Sequence, residues 1–101
     1  MFKQFRDRRK APKIMKAITA GNAAITADRI DIAQQWIDRA YKMSLNTTLP
    51  RLAHINMITC WGLMSVSLRD KGHMDLADQC TRMSNLLQAR FEAGDYYRES
   101  S

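Results

Sequence analysis

The chain has 101 residues, 46% of them hydrophobic and 26% charged, with four Gly and two Pro. That describes one small globular domain: too apolar for a disordered chain, too poor in Gly and Pro for a collagen-like or low-complexity one, and too short for a two-domain dinucleotide enzyme. Sixteen basic against ten acidic side chains leave a net charge of +6, and the excess is not spread evenly.

Lys3, Arg6, Arg8, Arg9, Lys10, Lys13 and Lys16 face the single acid Asp7 within residues 1–16, so this segment holds the whole excess and the rest is neutral. A clustered field of this kind recruits phosphate or an acidic partner, whereas scattered charge mainly aids solubility. Residues 1–11 read as a flexible basic arm ahead of Pro12, followed by one helical domain over 12–93. The seven cations are candidate contacts to nucleic acid or to an acidic protein, without reading sequence. Phe2 and Phe5 interleave with them and offer stacking or docking anchors. The plainer reading of the arm is a solvated leader. No apolar stretch follows the first basic residues, so a secretory signal is not expected and the chain reads as cytoplasmic.

After Pro12, Ile14, Met15, Ala17, Ile18 and Ile25 fall mostly on one side of a helix, with Gly21-Asn22 expected to kink it or end it early. A second helix is expected over 28–44, with Ala33, Trp36, Ile37, Ala40, Tyr41 and Ser44 on its inner stripe. Asp28 is placed to cap it, Asn46 to close it, and Thr47 or Thr48 to cap the next. Pro50 suits a first turn. The third helix, 49–69, is apolar nearly all round and so reads as the central, covered one. Its uncharged stretch 52–68 is 17 residues long, short of the roughly 20 that cross a bilayer, and no membrane contact is expected. Gly72 can turn left-handed at its end. The fourth helix, 74–93, lines up Leu76, Ala77, Cys80, Met83, Ser84, Leu87 and Phe91. Residues 94–101 form a polar tail expected to fray, in which Tyr96 and Tyr97 are either partner contacts or plain ends.

An internal repeat runs at an offset of 44 residues: Asp31-Ile32-Ala33 matches Asp75-Leu76-Ala77, and Gln35 matches Gln79. Each match follows another helix across a short loop, giving two antiparallel hairpins that stack on one another. The stretches 72–80 (GHMDLADQC) and 27–36 (ADRIDIAQQW) resemble the second helices of tetratricopeptide-type hairpins, which implies that architecture for residues 12–90. The offset departs from that family's period of about 34 residues, and the large aromatics of its first helix are missing. Over a shorter span, Ala33-Gln34-Gln35-Trp36 followed by Arg51 and Cys60 is similar to PerC-like and ANR-type small regulators of enteric bacteria and their mobile elements. That likeness implies a bacterial or phage gene and carries over no binding residue.

Chemistry-bearing residues do not assemble. Cys60 and Cys80 with no secretion signal read as reduced core thiols. With His54 and His73 they lack the paired spacing of a metal knuckle. His54 has no carboxylate on its face, and His73 between Asp70 and Asp75 reads as helix capping. There is no phosphate-binding glycine loop. Trp36, Trp61 and most of the seven Met read as core by their spacing. The expectation is a non-enzymatic helical binding protein, without cofactor or metal, that docks on a larger bacterial protein of DNA-processing or transcription machinery with the arm near nucleic acid. The alternatives are a dimeric DNA-binding regulator paired through the third helix, and a secretion-type chaperone with a groove for a partner helix.

Overall fold

The computed structural model describes residues 2–98, and within them four helices: α1 (Phe2–Thr26), α2 (Ile30–Leu45), α3 (Arg51–Asp70) and α4 (Met74–Glu92). α1 packs along α2 and α3 along α4, and the two hairpins meet chiefly through α1 against α3. α2 and α4 touch lightly. Between them Gln79 Nε2 donates to Asp38 Oδ1 at 2.9 Å, and the Arg90 guanidinium donates to the carbonyls of Ser44 and Leu45.

The turns explain the repeat. At the end of α1 the Arg29 N–H bonds the Ala24 carbonyl at 2.8 Å and the Asp28 N–H bonds that of Ile25 at 3.0 Å. At the end of α3, 44 residues on, His73 bonds Leu68 at 2.9 Å and Gly72 bonds Arg69 at 3.0 Å. Both are closed by one left-handed residue, Asp28 at φ 59° and Gly72 at φ 85°, which satisfies carbonyls that a bare helix end leaves orphaned. The turns are tied to each other by Lys71 Nζ donating to Asp28 Oδ1. Asp28 therefore does not cap α2: Arg29 precedes that helix and makes no side-chain cap bond, as is also true of His73 before α4. Asp31 and Asp75 serve those helix starts instead, as acids in the first turn facing the positive end of the dipole. Asn46 sits at the C-cap of α2 as its sequence implies, whereas Pro50, not Thr47 or Thr48, precedes α3.

Residues 2–11 are not a flexible arm. They are the first turns of α1, which runs through Pro12 and Gly21 for 25 residues, about 37 Å at 1.5 Å per residue. A proline inside a helix removes one backbone bond and crowds the preceding turn. Here the proline faces solvent, and the turns before it are held by Asp7, described below. Gly21 neither kinks nor stops α1. It is buried against α2, and a methyl there would lie 3.5 Å from Ile37 Cγ1 and Trp36 Cβ.

α3 is not covered on all sides. Met57, Trp61, Met64 and Leu68 face the core, while on the opposite side Leu63 and Val66 are 62% and 57% exposed and Leu52 is exposed as well. Only α4 and α1 pack against it; α1 borders Leu63 along one edge, and the rest of that outer face is left open. The C-terminal segment does not fray over its described part. Tyr97 donates its N–H to Leu49 O and accepts from the Arg51 N–H, both at 2.8 Å, and Tyr96 stacks on Phe91 with centroids 4.9 Å apart. Met1 of the arm and residues 99–101 of the tail lie outside the described residues.

Candidate functional site

Because the basic segment is helical, its charges have fixed directions. Phe2, Arg6, Arg9, Lys13 and Lys16 follow each other at spacings of four and three residues, which puts them on one face, and all five are exposed. From Arg6 to Lys16 this stripe rises about 15 Å. The Arg9 guanidinium lies over the Phe5 ring, 5.7 Å from its centroid, and Phe2 and Phe5 remain exposed beside the cations. Arg8 points away from the stripe, on the flank nearer α3 by helical spacing, and Lys10 is half-buried. Of the seven cations only Lys3 is ion-paired among the described residues.

Lys3, though exposed, is engaged within the protein. Its ammonium donates to Asp7 Oδ2 at 2.7 Å and to the Thr48 hydroxyl at 3.1 Å. The same carboxylate oxygen accepts from the Thr48 N–H and from the Tyr97 hydroxyl, each at 3.1 Å. Asp7 is 2% exposed. Burial alone would raise its pKa, but the bonds from Lys3, the Thr48 N–H and Tyr97 together hold it below the ordinary carboxylate value. Lys3 is raised in turn by its bond to Asp7, and Tyr97 by burial and then by its bond to the same carboxylate. This node fastens the first turns of α1 to the α2–α3 loop and to the C-terminal segment. Tyr97 is thus a structural anchor, and Tyr96 packs on Phe91 and against His54.

The stripe continues onto α2. Lys13 and Lys16 border a groove of about 220 Å³ whose other lining residues are Ala17, Trp36, Arg39 and Met43. The Arg39 guanidinium lies over the Trp36 indole at 5.2 Å, and the two residues also border a smaller notch with Gln35. Among the described residues no acid lines the groove. Trp36 and Arg39 were not among the site residues expected from sequence. Trp36 shares the periodicity of core residues, and its half-buried flank position became visible only once α1 was placed beside it. The signal that was present is the three-residue spacing of Trp36 and Arg39, which brings a guanidinium over an indole on one helix.

Elsewhere the chemistry is quiet. Another hollow, of about 610 Å³, is the open wedge where α2 and α4 diverge, bordered by Gln34, Asp75, Gln79 and Arg82 with both signs of charge. His54 is buried, its Nε2 2.6 Å from the Leu87 carbonyl. Burial pushes the Cys80 thiol up to about 12 and raises that of Cys60, which leaves neither a ready thiolate. Among the described residues no three His, Cys, Asp or Glu side chains come together as a metal site, and no helix is long and apolar enough to cross a membrane. Comparison with protein-family models, with curated proteins and with solved structures finds no match to this chain.

Proposed function

We propose that this chain is a non-enzymatic binding protein that holds nucleic acid by its phosphates along α1 and docks on a larger bacterial protein through the outer face of α3. The observation that carries the reading is the stripe Arg6, Arg9, Lys13 and Lys16, exposed, on one helical face and with no acid paired to it among the described residues. A flexible cationic leader must lose conformational entropy when it binds, whereas a helix already fixed by Asp7 has lost it on folding. The neutral remainder of the chain adds no competing field. The apolar outer face of α3, with Leu63 and Val66 at its centre, supports the protein-docking half. The bacterial assignment rests on the short likeness around Ala33–Trp36 alone.

The test is fluorescence anisotropy with a labelled duplex over a salt series. Four phosphate contacts predict a slope of log K against log salt of about −3 to −4. Arg9→Glu with Lys13→Glu removes two of them, flattening the slope by about 2 and weakening binding equally for all sequences. A salt-independent affinity, or a double variant that binds like the parent, refutes the reading. The dimeric regulator remains a second reading because the same α3 face suits a second copy. It requires a concentration-dependent dimer in sedimentation, abolished by Leu63→Lys, together with a preferred DNA sequence.

A further inference from the structure

We infer that the groove between α1 and α2 binds single-stranded nucleic acid, stacking one unpaired base against Trp36 while Lys13, Lys16 and Arg39 hold the phosphates beside it. This deepens, and rests on, the reading of α1 as a phosphate-binding helix. The repeat shows which surface of the first hairpin is unusual. Moving 44 residues along the chain carries Lys13, Lys16, Trp36, Arg39 and Met43 onto Met57, Cys60, Cys80, Met83 and Leu87. In the second hairpin that surface is closed against the first: Met57, Cys80, Met83 and Leu87 are buried, and Cys60 shares a groove with Met15 and Ile18 of α1. Gln79 and Arg90 on the same flank of α4 reach across to α2.

Among the described residues no hairpin is stacked on the equivalent surface of the first, and that is where the groove lies. Its contents decide what can fill it. A further helical hairpin would need the apolar residues that do this work between α3, α4 and the first hairpin. Here it would bury three cations with no acid among the lining residues, a desolvation that costs several kcal/mol per charge. A second copy of this chain would bring its own cations to the same place. A polyanion keeps the cations paired and partly hydrated. An indole, or a guanidinium laid on one, offers a flat π-face that any unpaired base will accept. In a duplex the bases are stacked inside and cannot use it. At about 220 Å³ the groove is smaller than the 300–1,000 Å³ or so of a drug-sized pocket, which suits one base at the wall rather than an enclosed cofactor.

The experiment is a fluorescence titration of the full chain with an oligothymidylate of about a dozen nucleotides, its duplex counterpart and an acidic peptide, at about 50 mM salt. Of the two tryptophans, Trp61 is fully buried, so quenching by the single strand reports Trp36. The single strand is expected to quench and to bind about tenfold more tightly than to Trp36→Leu, with duplex affinity unchanged within twofold. Arg39→Gln, at an exposed position, is expected to weaken single-strand binding without altering the thermal melt. Equal losses for both strand forms, or no loss with either variant, overturn the base-stacking site while leaving the phosphate-binding helix standing. Binding of neither nucleic acid overturns both. Quenching by the acidic peptide alone assigns the groove to a protein and overturns the inference.

Discussion

Gly21 on α1 and Ser65 on α3 hold the same place in their hairpins, 44 residues apart, and they show how far the two hairpins agree. Each faces the second helix of its hairpin. Ser65 Oγ donates to the Ala77 carbonyl at 3.0 Å, and a Cβ on Gly21 would point within 3.9 Å of the Ala33 carbonyl, the equivalent acceptor. The turns agree as well, down to the left-handed residue. The outward surfaces do not. Where α3 shows Leu52, Leu63 and Val66 to solvent, the matching positions of α1 are Arg8, Thr19 and Asn22. Where the second hairpin closes Met57 and Met83 into the core, the first carries Lys13 and Arg39. The framework is set by backbone turns and close crossings. The chemistry of each flank follows from whether another hairpin covers it, and a flank that no described hairpin covers is free to carry charge.

Exchanging residues between the two flanks should produce the largest effect. Met83→Arg gives the second hairpin the residue of the first at a position with no solvent access. An unpaired cation left there costs about 4 kcal/mol, and urea denaturation is expected to show most of that loss. Arg39→Met makes the opposite exchange at an exposed site, where stability is expected to stay within about 0.5 kcal/mol. If the two substitutions cost the same, the flanks are not distinguished by burial and the comparison fails.

The hairpins were legible because Asp31-Ile32-Ala33 and Asp75-Leu76-Ala77 repeat locally, within one helical turn each. The cations were legible by simple counting. Their arrangement was not, for two physical reasons. Pro12 is a strong local signal against a continuing helix, and what overrides it is Asp7, whose partners Thr48 and Tyr97 lie 41 and 90 residues away. No local pattern reports contacts at that separation. Trp36 read as core because an amphipathic stripe shows which residues face inward on average, but not which of them sit at the rim beside a neighbouring helix. The apolar circumference of α3 misled in the same way: it implied a covered helix, and only the count of neighbouring elements shows that its outer face is left open.

The node at Asp7 is the next test, because it is what makes the first hairpin's charged face rigid. Asp7→Ala leaves the Thr48 N–H and the Tyr97 hydroxyl without their acceptor and releases Lys3, at a cost of about 2 kcal/mol. Hydrogen exchange is expected to show lost protection in residues 3–9 with α3 and α4 unchanged. The pH dependence carries the same signature. A carboxylate held below its ordinary value stabilises the fold above its unfolded pKa near 3.9, and that contribution is lost as pH falls through the lower folded value. Lys3 and Tyr97 are raised. Their contributions are present below unfolded values near 10 and lost as pH rises past the folded ones. Melting temperature against pH should therefore fall on an acid limb below about 4 and an alkaline limb above about 10, and Asp7→Asn should flatten both. An unchanged profile in the variant would place the stability of α1 elsewhere.

The smallest effect has the opposite sign and asks whether Gly21 is needed as glycine. A buried helical glycine costs about 1 kcal/mol in propensity against alanine, and is justified sterically only if the neighbouring helix leaves no room for a side chain. The nearest atoms to an added Cβ, Ile37 Cγ1 and Trp36 Cβ at 3.5 Å, are at ordinary van der Waals distance. Gly21→Ala is thus expected to stabilise the chain by about 0.5–1 kcal/mol. Gly21→Ser is expected to retain that gain if its hydroxyl finds the Ala33 carbonyl as Ser65 finds that of Ala77. For a domain of this size such a gain raises the melting temperature by roughly 4 °C, within reach of a circular-dichroism melt. Because Gly21 does not line the groove, nucleic-acid affinity should be untouched. A loss of stability in Gly21→Ala would mean that α2 crosses α1 more tightly than α4 crosses α3. In that case the first hairpin depends on a bare backbone where the second uses a hydroxyl.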